Sequence, residues 1–427
     1  MKPEIDAKVE ENDNPLPVGD VIGDTAYSER FVLKILIKLA NLDTLKNEIK
    51  EKSFEEDLCM LWDMTAERDV VLFLQKHDSL NLINFALPMM DSPRLIEIMI
   101  GIVGNMCCQK EVVSSILKMD GFLIQLLEHS KCDDSLTLVQ LLRLINSCLF
   151  LSNDSDIPIL MTVFESVGYS PTLYFILKNS SHKDLLVTAL ENMNAICSSC
   201  NTERHSSKFL MQFLRSEALD SLSAAITEIT TNLKDSFRTD EIERSLIISL
   251  QISLHLLGFD SSAEIYENSK DDVIVMMRQI LDYYEEKLVI QKEIEPDLID
   301  IIESISTIIN ILNLNNICDL TKYFDHSYKM WKAVNMIMKS DKDGATNFEQ
   351  DDKVELLDFT SKIKAPLCTL MCNYMATCSD ENLLKCLDVI GQDYDDIITS
   401  LDKEKLHDEV NKRTEKYRTR LKENIDS

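Results

Sequence analysis

Few residues in this chain stand where they could do covalent or metal chemistry. Cys197-x-x-Cys200 with His205 five residues on is its one metal-like spacing. Zinc needs four ligands in a tetrahedral array, and only Cys132 offers itself as a distant fourth, so we read these as helix-end cysteines and expect no bound metal. Asp341-Lys342-Asp343-Gly344 begins like a calcium loop, but Gly falls at the fourth place rather than the sixth and Ala345 at the fifth. Phosphate-cradling glycine loops and the H-E-x-x-H pair are absent, and the 7 histidines never pair at i, i+4. His255 sits in an apolar helical run and reads as a core histidine. Asp393, Asp395 and Asp396 read as polar residues at a helix bend rather than an acid/base pair. We expect no catalytic residues and no cofactor.

Binding chemistry is better represented. Asn105, Asn146 and Asn194 recur 41 and 48 residues apart, each late in a Leu/Ile-rich run. A primary amide both donates and accepts, so such a row can hold a peptide backbone, while Arg94 can take a carboxylate. Chance similarity among Leu-rich helices explains the row as well. Trp62, one of 2 tryptophans, lies on a Leu58-Leu61-Trp62 stripe as a structural clasp or a partner anchor. Asp63 or Asp69 is placed to accept its indole N–H or to cap a neighbouring helix. Lys412, Arg413, Lys416, Arg418, Arg420 and Lys422 form a basic island beside an amphipathic stripe of Leu406, Val410, Tyr417, Leu421 and Ile425. That segment is read as a capping helix, or else as a nuclear-import or acidic-partner contact.

The elements that must position these residues are helices. Gly and Pro number 9 each in 427 residues, roughly 4% where about 12% is usual, which disfavours Gly-dependent α/β and β-sandwich folds. After a Pro-containing acidic segment, taken as a disordered tail over residues 1–27, apolar residues recur at helical spacing almost without break. Ser53 with Glu56 reads as a capping box, and Thr65 as the cap of a helix through Val70, Phe73 and Leu74. Ser92-Pro93 opens a helix whose Leu95, Ile98, Met99, Ile102, Val103 and Met106 form one stripe. Further helices are expected over 135–150, 183–198, 240–257, 271–290, 296–314, 320–339, 353–378 and 381–399. Long helices alternating with short polar breaks are the pattern of stacked hairpins, each unable to cover its apolar face alone. We therefore expect an all-α armadillo/HEAT-like solenoid over 28–399 and a basic amphipathic helix over 400–427.

Charge and cysteine usage narrow the partners. Lys+Arg of 44 against Asp+Glu of 73 gives −29, which repels phosphate backbones and disfavours nucleic acid as a partner. Cys107, Cys108, Cys148, Cys368 and Cys372 lie in apolar runs as small hydrophobes, as in a reducing compartment. Lys34, Lys38, Gln251 and His255 interrupt the most apolar stretches, so no membrane partner is expected, and the N-terminus shows no apolar signal core.

The asparagine runs resemble the groove-lining third helix of armadillo repeats, although the Trp usual four residues before the Asn is replaced by Gly101, Leu142 and Leu190. Residues 56–109 are more distinctive. Leu61-Trp62-Asp63-Met64, Asp69-Val70 with Phe73-Leu74, Pro93-Arg94-Leu95 with Glu97, and Gly101-Ile102-Val103-Gly104-Asn105-Met106 resemble the serum-amyloid-A-like (SAAL), synoviocyte-proliferation-associated family. That resemblance implies an armadillo-like protein, nuclear with a cytoplasmic share, associated with promoting cell proliferation and carrying no enzymatic activity. The expected function is a non-catalytic scaffold that binds other proteins through a face bearing Arg94, Asn105, Asn146 and Asn194. The alternative is a nucleocytoplasmic transport-receptor-like array.

Overall fold

A computed structural model describes residues 20–153, 155–199, 210–232, 236–314, 321–342, 350–401 and 404–425. Those residues form helices and their connections, with no strand among them, and they divide into two compact units that meet in sequence at Tyr169 and Ser170. The fold is an armadillo-like helical repeat.

The first unit is built from three-helix repeats. Its helices are α1 (Glu29–Ala40), α2 (Leu42–Glu48), α3 (Lys52–Met64), α4 (Arg68–Lys76), α5 (Ser79–Ala86), α6 (Pro93–Met106), α7 (Lys110–Lys118), α8 (Phe122–Glu128), α9 (Ser135–Leu151) and α10 (Ile157–Val167). The α4–α5–α6 triplet recurs as α7–α8–α9, with α4 and α7 starting 42 residues apart and α6 and α9 likewise. The long helices α3, α6 and α9 pack side by side in one layer, while α1 packs on α5 and α8 on α10 in the other. The Gln125 amide, donating to the Asn84 carbonyl, ties α8 to α5. Ser92 and Pro93 open α6 as expected, and its whole apolar stripe is buried. Because α6 lies between α3 and α9, Ile100 and Gly101 on its other faces are buried too.

The second unit contains α11 (Tyr169–Asn179), α12 (Lys183–Ser198), α13 (Glu217–Thr227), α14 (Thr239–Leu257), α15 (Ser262–Ile265), α16 (Lys270–Glu285), α17 (Leu298–Ile311), α18 (Thr321–Lys342), α19 (Gln350–Thr377), α20 (Asp380–Ile390), α21 (Tyr394–Thr399) and α22 (Glu404–Ile425). Two layers run through it: α12, α14, α17, α19 and α22 in one, and α13, α16 and α18 in the other. Polar side chains stitch neighbours within each layer. Arg244 pairs with Glu191 and Lys183 with Glu241 between α12 and α14, and Tyr323 donates to the Ile274 carbonyl between α18 and α16.

Several expectations need correction. The repeats of the first unit are triplets in which a short helix precedes each hairpin: α4 and α7, nine residues each, bury a narrow apolar stripe, α4 packing on α5 and α7 on α8 and α9. Residues 20–27 are not part of a tail. Asp20 accepts hydrogen bonds from the Ser28 hydroxyl and the Arg30 amide, Ile22 is buried, and Asp69 accepts from the Asp24 amide; residues 1–19 lie outside the described residues. Ser53 is not a cap, since α3 starts at Lys52 after Glu51. Thr65 ends α3 instead of opening α4, its hydroxyl donating to the Trp62 carbonyl at 2.5 Å. The helix expected over 381–399 breaks at Gly391, whose φ of +46° is open to glycine and strained for other residues.

Candidate protein-binding faces

The family-like residues of the first unit gather along the seam where α3 meets α6. The Trp62 ring from α3 lies against Gly101 of α6: a Cβ on Gly101 would fall 2.3 Å from the indole Cε2, so only glycine admits the ring. Arg94, one helical end away, holds its guanidinium 5.9 Å from the Trp62 ring centroid. It donates to Glu97 Oε2 at 2.7 Å and reaches Cys59 Sγ at 3.5 Å. Glu97 is buried, so its carboxylate depends on that guanidinium for its charge partner, and the same hydrogen bond raises the pKa of Arg94. Asn105 Nδ2 donates to the Trp62 carbonyl at 3.2 Å and to the Thr65 hydroxyl at 3.1 Å, satisfying groups at the C-terminal end of α3. Asn105 therefore holds the seam together. Gly104 faces the other neighbour, with Leu144 Cβ of α9 at 3.7 Å from where its own Cβ would stand, so both glycines set helix separations in the long-helix layer.

The remaining sequence-selected residues are dispersed. Asp69 serves the N-terminal turn: Gly23, at φ +52°, lies so close to its carboxylate that a Cβ would overlap it. Asp63 is exposed. Asn146 is half-buried on α9, next in the layer to α6. Asn194 belongs to the second unit, on α12, with Oδ1 buried and unpartnered. Arg94, Asn105 and Trp62 are thus brought together, Asn146 lies on the adjoining helix, and Asn194 belongs to a different unit.

Of the basic island, Lys412 is exposed and Arg413 is occupied. Its guanidinium donates to the Met375 carbonyl at 3.0 Å, the Cys378 carbonyl at 2.6 Å and Asp380 Oδ1 at 3.2 Å. A cation on the free carbonyls of a helix end also complements the helix dipole. The side chains of Lys416, Arg418, Arg420 and Lys422 lie outside the described residues, as do Cys200, His205 and the segment from Asp343 to Ala345. Cys197 is buried, and burial pushes the half-buried His255 imidazole below its usual range. The Cys107 thiol is pushed up, first by its contact with Cys148 and then by burial.

A second polar face, missed from sequence, lies on the long-helix layer of the second unit. Glu303, Ser306, Thr307 and Asn310 line one side of α17, and Ala365, Pro366 and Thr369 face them from α19, enclosing about 300 Å³. The signal was present in the i, i+3, i+4, i+7 spacing of four polar residues opposite the buried Ile301, Ile302, Ile305, Ile308 and Ile309, and in a proline inside a helix. Among the described residues no helix is long and apolar enough to cross a membrane, and no group of three or more ligating side chains is placed to hold a metal ion.

No family model matches this chain. It is similar to Protein SAAL1 of Homo sapiens, 34% identical over 185 residues, covering 40% of this chain and 38% of that protein. The likeness extends to Protein saal1 of Danio rerio, at 29% over 185 residues, and of Xenopus tropicalis, at 27% over 235 residues. The match spans less than half the length of each of these relatives; for the Xenopus protein it reaches 48%. The chain is SAAL1-like in that sense. Among solved structures it is similar to a designed armadillo repeat protein in complex with a (KR)4 peptide, with TM-score 0.44, 13% identity and coverage of 66% of this chain and 98% of that one. A second designed armadillo repeat protein is matched at TM-score 0.37, again at 13% identity, over 57% of this chain and 98% of that one.

Proposed function

We propose that this chain is a non-catalytic scaffold that holds other proteins on the exposed edges of its long helices. The observation that carries this reading is the seam of α3 and α6. There a half-buried Trp62 and a half-exposed Arg94 lie together on a layer of long parallel helices, rigidly set by Gly101 and Asn105. Aromatic–Arg pairs on a rigid support are the side chains that most often anchor protein partners. A guanidinium partly committed to Glu97 still presents N–H groups to an incoming carboxylate or backbone carbonyl. Stacked helical repeats supply long surfaces of this kind, and the likeness to SAAL1 supports a scaffold over an enzyme.

We further propose, from the family resemblance of residues 56–109, that the scaffold acts in the nucleus, with a cytoplasmic share, and promotes cell proliferation. The test is capture of partners by the chain and by an Arg94→Glu, Asn146→Ala variant. Asn105 is avoided because its amide supports the end of α3. The variant is expected to lose one or more partners that a Glu97→Gln control retains, since that control breaks the same Arg94–Glu97 pair but keeps the guanidinium exposed. Partner sets identical to those of the parent chain would remove the α3–α6–α9 face from consideration. Binding to a small GTPase or to Phe-Gly repeats, undiminished in that variant, would favour the transport-receptor alternative.

A further inference from the structure

The groove between α17 and α19 has chemistry that the chain itself uses elsewhere. Pro366 stands inside α19, where it has no N–H to give the Lys362 carbonyl one turn earlier, and its ring presses on that carbonyl. Pro366 itself lines the groove, and the carbonyl it leaves without an N–H partner stands one turn away on the same helix face. Opposite, on α17, stands the exposed Glu303 carboxylate. Thr307 already donates its proton to the Glu303 carbonyl at 2.8 Å, leaving oxygen lone pairs as what it offers the groove. Ser306 Oγ accepts from Asn373 Nδ2 at 3.4 Å from the other side. Lys362, an exposed cation one turn before Pro366 on α19, is engaged by Asp358 at 2.7 Å. The groove is thus rich in acceptors: a carboxylate, a released helix carbonyl and hydroxyl oxygens.

At the end of α19, eleven residues beyond Pro366, Arg413 of the neighbouring α22 shows what such a set binds. Its guanidinium sits on two carbonyls freed at the end of α19 and on one carboxylate, Asp380. The α17–α19 groove repeats those parts, with a carbonyl freed by Pro366 in place of those freed by the helix end and Glu303 in place of Asp380. We propose that this groove is a seat for an arginine side chain from a partner protein. A net charge of −29 draws a basic segment toward it, and about 300 Å³ is at the small end of ligand cavities, matched to one long side chain. The planar fork of a guanidinium reaches a carbonyl and a carboxylate together, which an ammonium does less well. This goes beyond the scaffold reading, which rests on the first unit, and names the chemistry of a site on the second.

The probes are capped pentapeptides, Gly-Arg-Gly-Arg-Gly and its lysine and citrulline counterparts, titrated against the 427-residue chain by fluorescence anisotropy at low salt. The arginine peptide is expected to bind, and citrulline, neutral and of the same shape, to bind at least tenfold more weakly. Glu303→Gln is expected to weaken the arginine peptide about tenfold. Pro366→Ala, which restores an N–H to the Lys362 carbonyl, is expected to weaken it several-fold while leaving the fold intact, as read by hydrogen exchange in α19. Equal binding to both variants, equal affinity for the lysine peptide, or no binding at millimolar peptide would each overturn the assignment. The Arg94→Glu, Asn146→Ala chain should bind the peptide normally, so failure of the first-unit face and failure of this seat are told apart.

Discussion

At the scale of single residues, the seam of α3 and α6 is governed by what glycine leaves out. Trp62 and Gly101 were both selected from sequence, yet nothing in their spacing of 39 positions says that one fills the gap left by the other. That fact depends on helix separation, which only the packed layer defines. Gly101→Ala forces a methyl to within 2.3 Å of the indole, and overpacking of this kind typically costs about 1–3 kcal/mol. Urea unfolding should show that loss in the native background and a smaller one in a Trp62→Leu background, since the partner of the clash is then gone. An equal loss in both would mean the penalty comes from helix propensity or another neighbour. Asn105 was read from sequence as a groove amide, and its type and position were right for hydrogen bonding to a backbone. The backbone it serves is the end of α3 in its own chain. Asn105→Ala removes two hydrogen bonds and is expected to destabilise by about 1–2 kcal/mol in the same assay. A neutral result would free Asn105 for a partner after all.

At the scale of elements, the long helices were readable because 3.6-residue periodicity over four or more turns leaves little ambiguity: the stripes at 93–106, 135–150 and 183–198 stand where they were expected. Short connecting helices such as α4 and α7 carry two turns of pattern and so too little signal to place beforehand. Ion pairs between elements were also out of reach, because charge runs look alike whether solvated or paired. Lys287 is the clearest case. It lies in the π-helical extension of α16, with its side chain only 5% exposed, bonded to Glu243 of α14 and to Glu295 in the turn that leads to α17. The turn itself passes through Lys292 at φ +63°. One buried ammonium thus joins two helices and a connection. Burial works against its charge, but the hydrogen bonds to Glu243 and Glu295 prevail and raise its pKa above the ordinary 10.5. Its stabilising contribution is therefore whole below about pH 10.5 and is lost as pH rises beyond it, where the unfolded chain releases the proton and the folded chain retains it. Lys287→Met leaves the two carboxylates facing one another and should cost about 3 kcal/mol, the lower end for a buried pair because both glutamates keep some solvent. Chemical unfolding at pH 7 measures the loss. The same titration at pH 10–12 should show a shallower alkaline decline in the variant than in the parent chain.

At the scale of the whole molecule, the sequence offered no boundary, since Val167-Gly168-Tyr169 is neither long nor polar enough to read as a linker, and yet two compact units meet there. Helical repeats explain why such a boundary is hard to read: every repeat buries its core against its neighbours, so a change of unit needs no change of composition. The units are nevertheless distinguishable by experiment because each carries one of the 2 tryptophans, Trp62 in the first and Trp331 in the second. Trp331 is 3% exposed, so unfolding of its unit should shift emission strongly to the red, whereas the half-buried Trp62 should shift less. Trp331→Phe leaves Trp62 as the reporter of the first unit and keeps an aromatic ring in the same packed position. Trp62→Phe leaves Trp331 as the reporter of the second. Nearest-neighbour stability in repeat arrays predicts that the two reporters unfold in urea at different midpoints, each with a smaller denaturant dependence than the full chain would have as one cooperative block. Coincident midpoints, together with a slope appropriate to 427 residues unfolding at once, would show that the two units melt as a single cooperative structure.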